Sequence, residues 1–232
     1  MSQIQNFFRR VLIMAAQGGG RRGGRGGRGG QGEVSEDVKV SKYLSWVLRH
    51  GAEKEKLPID EKGFIPLKAI LSKPKMKGYD EGFVQKIVDT NDKKRFVTER
   101  RDDGQLYIRA AQGHSIKCVN AEKFMKRITM ENVNEYPTVV HGTYRAPWKV
   151  IERDGLCRMS RQHIHMAVGL PGENEVISGM RNKCQVVIHI NLRLALEDGI
   201  PFYASENNVV LTPGIGPDGY LPSKYFEKVT FR

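Results

Sequence analysis

The sequence predicts an α+β protein in which a helical first part closes with a β-hairpin and a mostly β second part follows. Three observations predict it. Apolar residues recur at helical spacing between Val40 and Leu48. After Asn91 the period changes to two, around a turn at Asp103-Gly104. Beyond residue 137, short β-branched runs outnumber helices. The chain has 232 residues, 39% of them hydrophobic, which allows one domain or two small ones. Two lobes are expected, 35–117 and 137–232, joined by a connector at 118–136.

The formal net charge is +12, and six arginines against Glu33 place +5 of it in residues 1–35. A basic body with a basic tail points to polyanions, nucleic acid first and anionic membrane second. Residues 17–32, QGGGRRGGRGGRGGQG, have nothing to bury and are expected to be disordered. They read equally as an RNA tether or a solubilising tail. Cys118, Cys157 and Cys184 are odd in number and lack CxxC spacing, so no disulfide framework or structural zinc site is expected. A reducing interior, cytoplasmic or nuclear, fits that usage. No apolar run reaches the roughly 18 residues of a spanning helix. The segment FFRRVLIMAA has a six-residue apolar core, too short for a secretory leader, and leaves only a weak organelle signal.

Order is expected from Ser35. It can cap a helix whose first turn holds Glu36 and Asp37, acids suited to the positive end of the dipole. Val40, Tyr43, Leu44, Val47 and Leu48 make its buried stripe, and Arg49-His50-Gly51 is expected to end it. By position alone, Arg49 and His50 are dipole-complementing cations, with His50 at the edge of the stripe and Arg49 turned away. Leu57 to Pro66 reads as an extended link, Leu67–Leu71 as a short helix and Lys73 to Lys77 as a basic loop. A further helix faces Phe83, Val84, Ile87 and Val88 inward. Strands Arg95 to Thr98 and Gln105 to Ala110 form the hairpin. Helices followed by such a hairpin match the pattern of a winged helix, a small fold often used on nucleic acid. Gly113 marks a sharp turn, and His114 suits either a local carbonyl or a ligand.

The stretch VVHGTYRAPWKVIERDGLCRMSRQHIHMA organises the second part. It reads as a strand ending in His141-Gly142-Thr143, a helix begun by Pro147-Trp148 and stopped at Gly155, and a strand in which Arg161, His163 and His165 alternate on one face. Such a face suits a ligand carrying negative charge and hydroxyls. Leu170-Pro171-Gly172 opens a loop. Cys184 to Ile190 is a buried strand, Leu192 to Leu196 a short helix, and Phe202 to Ser205 and Val209 to Leu211 strands around a turn at Asn207-Asn208. Loops and Tyr225-Phe226 finish the chain. His163 and His165 with Cys157 offer too few well-spaced donors for zinc, and no metal is expected. No P-loop, dinucleotide fingerprint or nucleophile elbow is present.

The segments LSWVLRHGA, DEKGFIPL, KKRFVTE, YIRAAQGHS, VVHGTYRAPWKVIERDGL, RMSRQHIHMA, ISGMR, EDGIPFYAS and VVLTPG together resemble the tRNA 2′-phosphotransferase family, over residues 36–229. The resemblance implies a winged-helix RNA-binding lobe and a second lobe of ADP-ribosyltransferase fold, with NAD+ as co-substrate and no metal. It implies removal of the internal 2′-phosphate that splicing leaves on ligated tRNA, through a phospho-ADP-ribosylated RNA, giving 2′-hydroxyl RNA, nicotinamide and ADP-ribose 1″,2″-cyclic phosphate. It carries a catalytic tetrad onto Arg49, His50, Arg95 and Arg161, and NAD+ contacts onto His114, Ser115, His141, Gly142, Thr143, His163 and His165. The dipole-cap reading of Arg49 and His50 gives way to this one. The implied partner is tRNA or another RNA with an internal 2′-phosphate, no membrane is expected, and the chain is expected to be a monomer. Two other readings stay open: capping of terminal nucleic-acid phosphates by ADP-ribosyl transfer, and RNA binding without catalysis.

Overall fold

The computed structural model describes residues 35–170 and 183–232. The arginine-glycine tail, the loop beyond Leu170 and the ISGMR motif lie outside the described residues. The described chain is mixed helix and sheet, as the sequence predicts.

Helix α1 (Glu36–Trp46) starts where the Ser35 carbonyl accepts hydrogen bonds from the amides of Val38 and Lys39. Val40 and Leu44 are buried and Tyr43 is half-buried, so the expected stripe forms. The helix does not stop at Gly51. It continues as a π-helical turn, Val47–Gly51, and Ala52 keeps right-handed helical dihedrals. The first left-handed residue is Lys56 (φ 52°). An i→i+5 turn breaks the 3.6-residue spacing. His50 is therefore exposed, while Arg49 has two buried guanidinium nitrogens, the reverse of the placement expected from regular spacing.

Strand β1 (Ile65–Pro66), α2 (Leu67–Leu71), α3 (Glu81–Asp89), β2 (Phe96–Arg100) and β3 (Leu106–Ala110) follow. The Asp80 carboxylate caps α3 by accepting from the Phe83 amide at 2.8 Å. The strands form an antiparallel sheet in the order β1-β3-β2. Phe96, Ile108 and Ala110 of this sheet close over Leu44, Leu48, Ile70 and Val84 of the helices, all buried. Arg95 immediately precedes β2, half-buried at the hairpin's open end.

A second core forms from β4 (Lys126–Ile128), β5 (Val140–Thr143), α4 (Arg145–Asp154), β6 (Leu156–Cys157), β7 (Ile164–Ala167), β8 (Val186–Ile190), α5 (Leu192–Glu197), β9 (Phe202–Ala204), β10 (Val209–Thr212), β11 (Tyr220–Leu221) and β12 (Phe226–Phe231). The main sheet is antiparallel, in the order β12-β8-β5-β7-β10-β9-β4. Val186, Ile188 and Ile190 alternate into the core against Trp148 and Tyr225.

Several elements differ from expectation. Helix α4 begins at Arg145, with Pro147 inside its first turn, where a missing amide costs no helical bond. The chain end is a strand, β12, paired with β8 from Phe226 to Phe231. β7 begins at Ile164, so Arg161 and His163 precede it. Arg158 accounts for that late start: its carbonyl accepts from the Arg161 amide at 3.2 Å and its guanidinium donates to the Arg161 carbonyl at 3.0 Å, which holds residues 158–161 in a turn. No described helix is long and apolar enough to cross a membrane.

Candidate active site

The segment Ala111 to Ser115 joins the hairpin to the rest of the site. The Ala111 amide donates to the Arg95 carbonyl and the Ser115 amide to the Arg49 carbonyl, each at 2.9 Å. The Ser115 hydroxyl lies 2.8 Å from Nδ1 of His50. On the far side, the Gln162 amide donates to the His114 carbonyl at 3.1 Å, and its Nε2 donates to the carbonyls of Ile116 (3.0 Å) and Val119 (2.7 Å). One loop thus ties together the three segments that carry Arg49-His50, Arg95 and Arg161. Gly113, at φ 93°, lets it pass close: a Cβ there would stand 3.3 Å from Nε of Arg49 and 3.6 Å from Nε2 of His165.

Arg49, His50 and Arg95 line one groove of about 740 Å³. Arg161 is exposed and is not among the residues lining that groove, but its charge reaches Arg49, His50 and His165. Burial first, then repulsion from Arg161 and Arg95, brings the Arg49 guanidinium down to about 10. Nε and Nη2 of Arg49 make no hydrogen bond among the described residues. Burial, with Arg161 and Arg49, lowers the His50 imidazole too, so it is neutral at pH 7.

The other histidines gather behind this group. Nδ1 of His141 stands 2.9 Å from the His165 carbonyl, which can only accept, so Nδ1 carries the proton and Nε2 is the acceptor in the neutral ring. His165 is pushed well below the ordinary imidazole range by burial and then by Arg161, and its Nε2 has no partner among the described residues. His114 is sealed at 1% exposure and held at about 3 by burial and by Arg49, Arg109 and His50, with its ring edge-on to Phe124. His163 is also buried, with Nε2 3.7 Å from Glu122, beyond hydrogen-bond reach; burial lowers it and Glu122 opposes the shift. Gly142 and Thr143 are the last two residues of β5, opposite Val187 and Val186.

Sequence reasoning missed three supports. Gln162 was passed over between Arg161 and His163. Arg109 is buried between Phe124 (4.2 Å) and Phe64 (5.2 Å) and meets Glu206 at 2.7 Å. Asn207 donates to the Lys93 carbonyl at 3.0 Å, pinning the loop before Arg95. Their partners are far apart in the chain, and only the repeated neighbours of Gln162 in RMSRQHIHMA gave any signal.

What the geometry offers is Arg49 held between the charges of Arg95 and Arg161, the arrangement a multiply charged anion stabilises. Among the described residues no group of three or more His, Cys, Asp or Glu could hold a metal ion. A family model described as RNA 2′-phosphotransferase, Tpt1/KptA family, matches residues 35–214. The chain is 43% identical to tRNA 2′-phosphotransferase 1 of Danio rerio, covering 91% of this chain and 92% of that one. It is 45% identical to tRNA 2′-phosphotransferase 1 of Homo sapiens, covering 84% and 76%. A putative tRNA 2′-phosphotransferase of Schizosaccharomyces pombe is 48% identical over 83% of this chain, which spans about half (51%) of that longer protein. With that match over most of its length, and with Arg49, His50 and Arg95 on one groove, the chain belongs to the RNA 2′-phosphotransferase, Tpt1/KptA family, and is an enzyme of the phosphotransferase class.

Proposed function

We propose that the chain is an NAD+-dependent tRNA 2′-phosphotransferase that removes an internal 2′-phosphate from spliced tRNA. The observation that carries this reading is Arg49, half-buried, with its charge disfavoured first by burial and then by Arg161 and Arg95. Such a site is costly without an anion and strong with one. Arg49 and Arg95 would hold the RNA phosphate. Arg161 would stabilise charge on its oxygens as the phosphate moves. His50, neutral at pH 7 and fixed by Ser115, would exchange the proton.

NAD+ would supply a ribose carbon that takes the phosphate and a neighbouring hydroxyl that then displaces the RNA, leaving nicotinamide and ADP-ribose 1″,2″-cyclic phosphate. The residues fit such a polar, hydroxyl-rich molecule: Nε2 of His165 and two nitrogens of Arg49 are buried without partners among the described residues. His141, Gly142 and Thr143 would line its nicotinamide side, with His165 beside them. His114 and His163, almost fully enclosed, would hold that wall from behind. In this reading residues 35–117 are a winged-helix RNA-binding lobe and residues 137–232 an ADP-ribosyltransferase-like lobe. The enzyme acts as a monomer in the cytoplasm or nucleus.

The test is to incubate the chain with NAD+ and a short RNA bearing one internal 2′-phosphate, beside Arg161→Ala. Appearance of 2′-hydroxyl RNA and ADP-ribose 1″,2″-cyclic phosphate, lost in the variant, is the expected result. Stable ADP-ribosylated RNA would mean phosphate capping instead, and no use of NAD+ would mean RNA binding alone.

A further inference from the structure

The groove that holds Arg49, His50 and Arg95 extends well past them. It runs along one face of α1, past Ser45, Lys42 and Ser41, and is bounded opposite by the loop from Thr90 to Lys93. Ser41 and Ser45, four residues apart on α1, share a face, and Arg49 on the π turn beyond them lines the same groove. At about 740 Å³ it has room for a molecule of drug size, for which about 300–1,000 Å³ is usual, and far more than one phosphate fills.

Its charge is net positive, with Lys42, Arg49, Lys93 and Arg95 against Asp37 and Asp92. Lys42 is exposed and Lys93 half-buried, and among the described residues neither ammonium makes an ion pair or hydrogen bond. Of the two carboxylates in the groove, Asp37 is 3.5 Å from Lys86, which leaves Asp92 against Lys42, Arg49, Lys93 and Arg95. Ser41 and Ser45 add hydroxyls to a lining that also holds Val38, Trp46 and Ile87. The loop is also held in place, because Asn207 binds the Lys93 carbonyl and Asn91 accepts from the Arg95 amide at 3.2 Å. Lys93 and Arg95 are thereby fixed relative to each other.

We infer that this groove carries the RNA strand flanking the 2′-phosphate, with backbone phosphates on Lys42 and Lys93 and sugar hydroxyls against Ser41 and Ser45. The inference rests on the reading above. A 2′-phosphate inside an RNA lies on a strand that continues in both directions, so wherever Arg49 and Arg95 grip it, the neighbouring nucleotides need a polar, cationic path. This groove is such a path and begins at those arginines.

The experiment compares wild type with Lys42→Gln, Lys93→Gln and the double variant, and uses Lys228→Gln on the exposed side of β12 as a charge control. Turnover is measured with NAD+ on a 2′-phosphorylated dinucleotide and on a ten-nucleotide RNA of the same centre. Affinity for the ten-nucleotide RNA is measured against salt without NAD+. For the double variant we expect KM on the longer RNA to rise roughly tenfold, a smaller rise on the dinucleotide, and a salt slope smaller by about 0.7 per lysine removed. Lys228→Gln should match wild type. Equal losses on both lengths, or an unchanged salt slope, overturn the groove assignment. Binding is read without turnover, so a wild type that binds with the expected slope yet leaves the phosphate in place overturns the proposed reaction alone.

Discussion

His50 and Ser115, 65 positions apart, meet at 2.8 Å between imidazole Nδ1 and hydroxyl oxygen, while the Ser115 amide holds the Arg49 carbonyl. The contact fixes the ring of an otherwise exposed histidine at the mouth of the arginine cluster. Ser115→Ala keeps the backbone bond and removes the contact that orients the ring, together with the hydroxyl's longer bond, 3.5 Å, to the Arg49 carbonyl. Loss of general acid-base alignment is worth roughly 10²-fold at most here, so kcat should fall about tenfold to a hundredfold with KM for RNA little changed. Steady-state kinetics check this. A rise in KM with kcat unaltered would mean that Ser115 serves binding instead.

Gly113 combines a left-handed φ of 93° with a Cβ position 3.3 Å from Nε of Arg49. Gly104, at φ 74°, has nothing within 4 Å of its Cβ position. Both alanine variants should lose about 1–2 kcal/mol from backbone strain, or a few degrees in Tm for a chain of this size. Only Gly113→Ala should also lose activity, by displacing Arg49 and His165. Melting curves and initial rates on both variants separate backbone strain from displacement.

How much of this was legible in the sequence depended on range. Local periodicity located α1, α2, α3 and the hairpin, because Val40, Leu44, Val84 and Phe96 repeat at the spacing their elements need. It failed at Val47–Gly51, where a π turn rotates Arg49 and His50 out of the 3.6-residue register. Periodicity also failed at Arg161 and His163, which alternate like strand residues but precede β7, Arg161 in a turn held by Arg158. Arg109 and Glu206 illustrate the remaining limit: a buried cation whose carboxylate lies 97 positions away leaves no local trace. The tetrad itself was found through motif resemblance, and position alone had favoured a simple helix cap for Arg49-His50.

Arg49 combines functional value with a stability cost. Burial and two neighbouring arginines all disfavour its charge. Replacing it with an uncharged side chain of similar length removes both penalties, a trade between activity and stability seen where sites are strained. Arg49→Met should raise Tm by about 2–4 °C, corresponding to about 1 kcal/mol at this size. Removal of 2′-phosphate should fall by at least about 10²-fold through loss of the charge-stabilising group. A melting scan with an activity assay checks both. A variant that melts lower than wild type would mean that the guanidinium packs favourably in the free enzyme.

The buried histidines set the acid limit of the fold. His114 is held at about 3 by burial and by Arg49, Arg109 and His50, against about 6.5 in an unfolded chain. Above pH 6.5 both states are neutral and there is no penalty. Between 6.5 and about 3 the unfolded chain binds a proton that the folded one refuses, so stability falls as pH falls, by about 1.4 kcal/mol per pH unit for this one group. His165 and His163 are shifted the same way, burial being the first cause for each, and steepen the slope. Urea unfolding at pH 6, 5 and 4 should show wild type losing stability steadily. His114→Asn, whatever its stability at pH 7, should lose less per unit by about 1.4 kcal/mol. Parallel slopes for the two proteins would mean that the folded state accepts the proton at His114 after all, and that the enclosure of this ring by Phe124 and its cationic neighbours opens in acid.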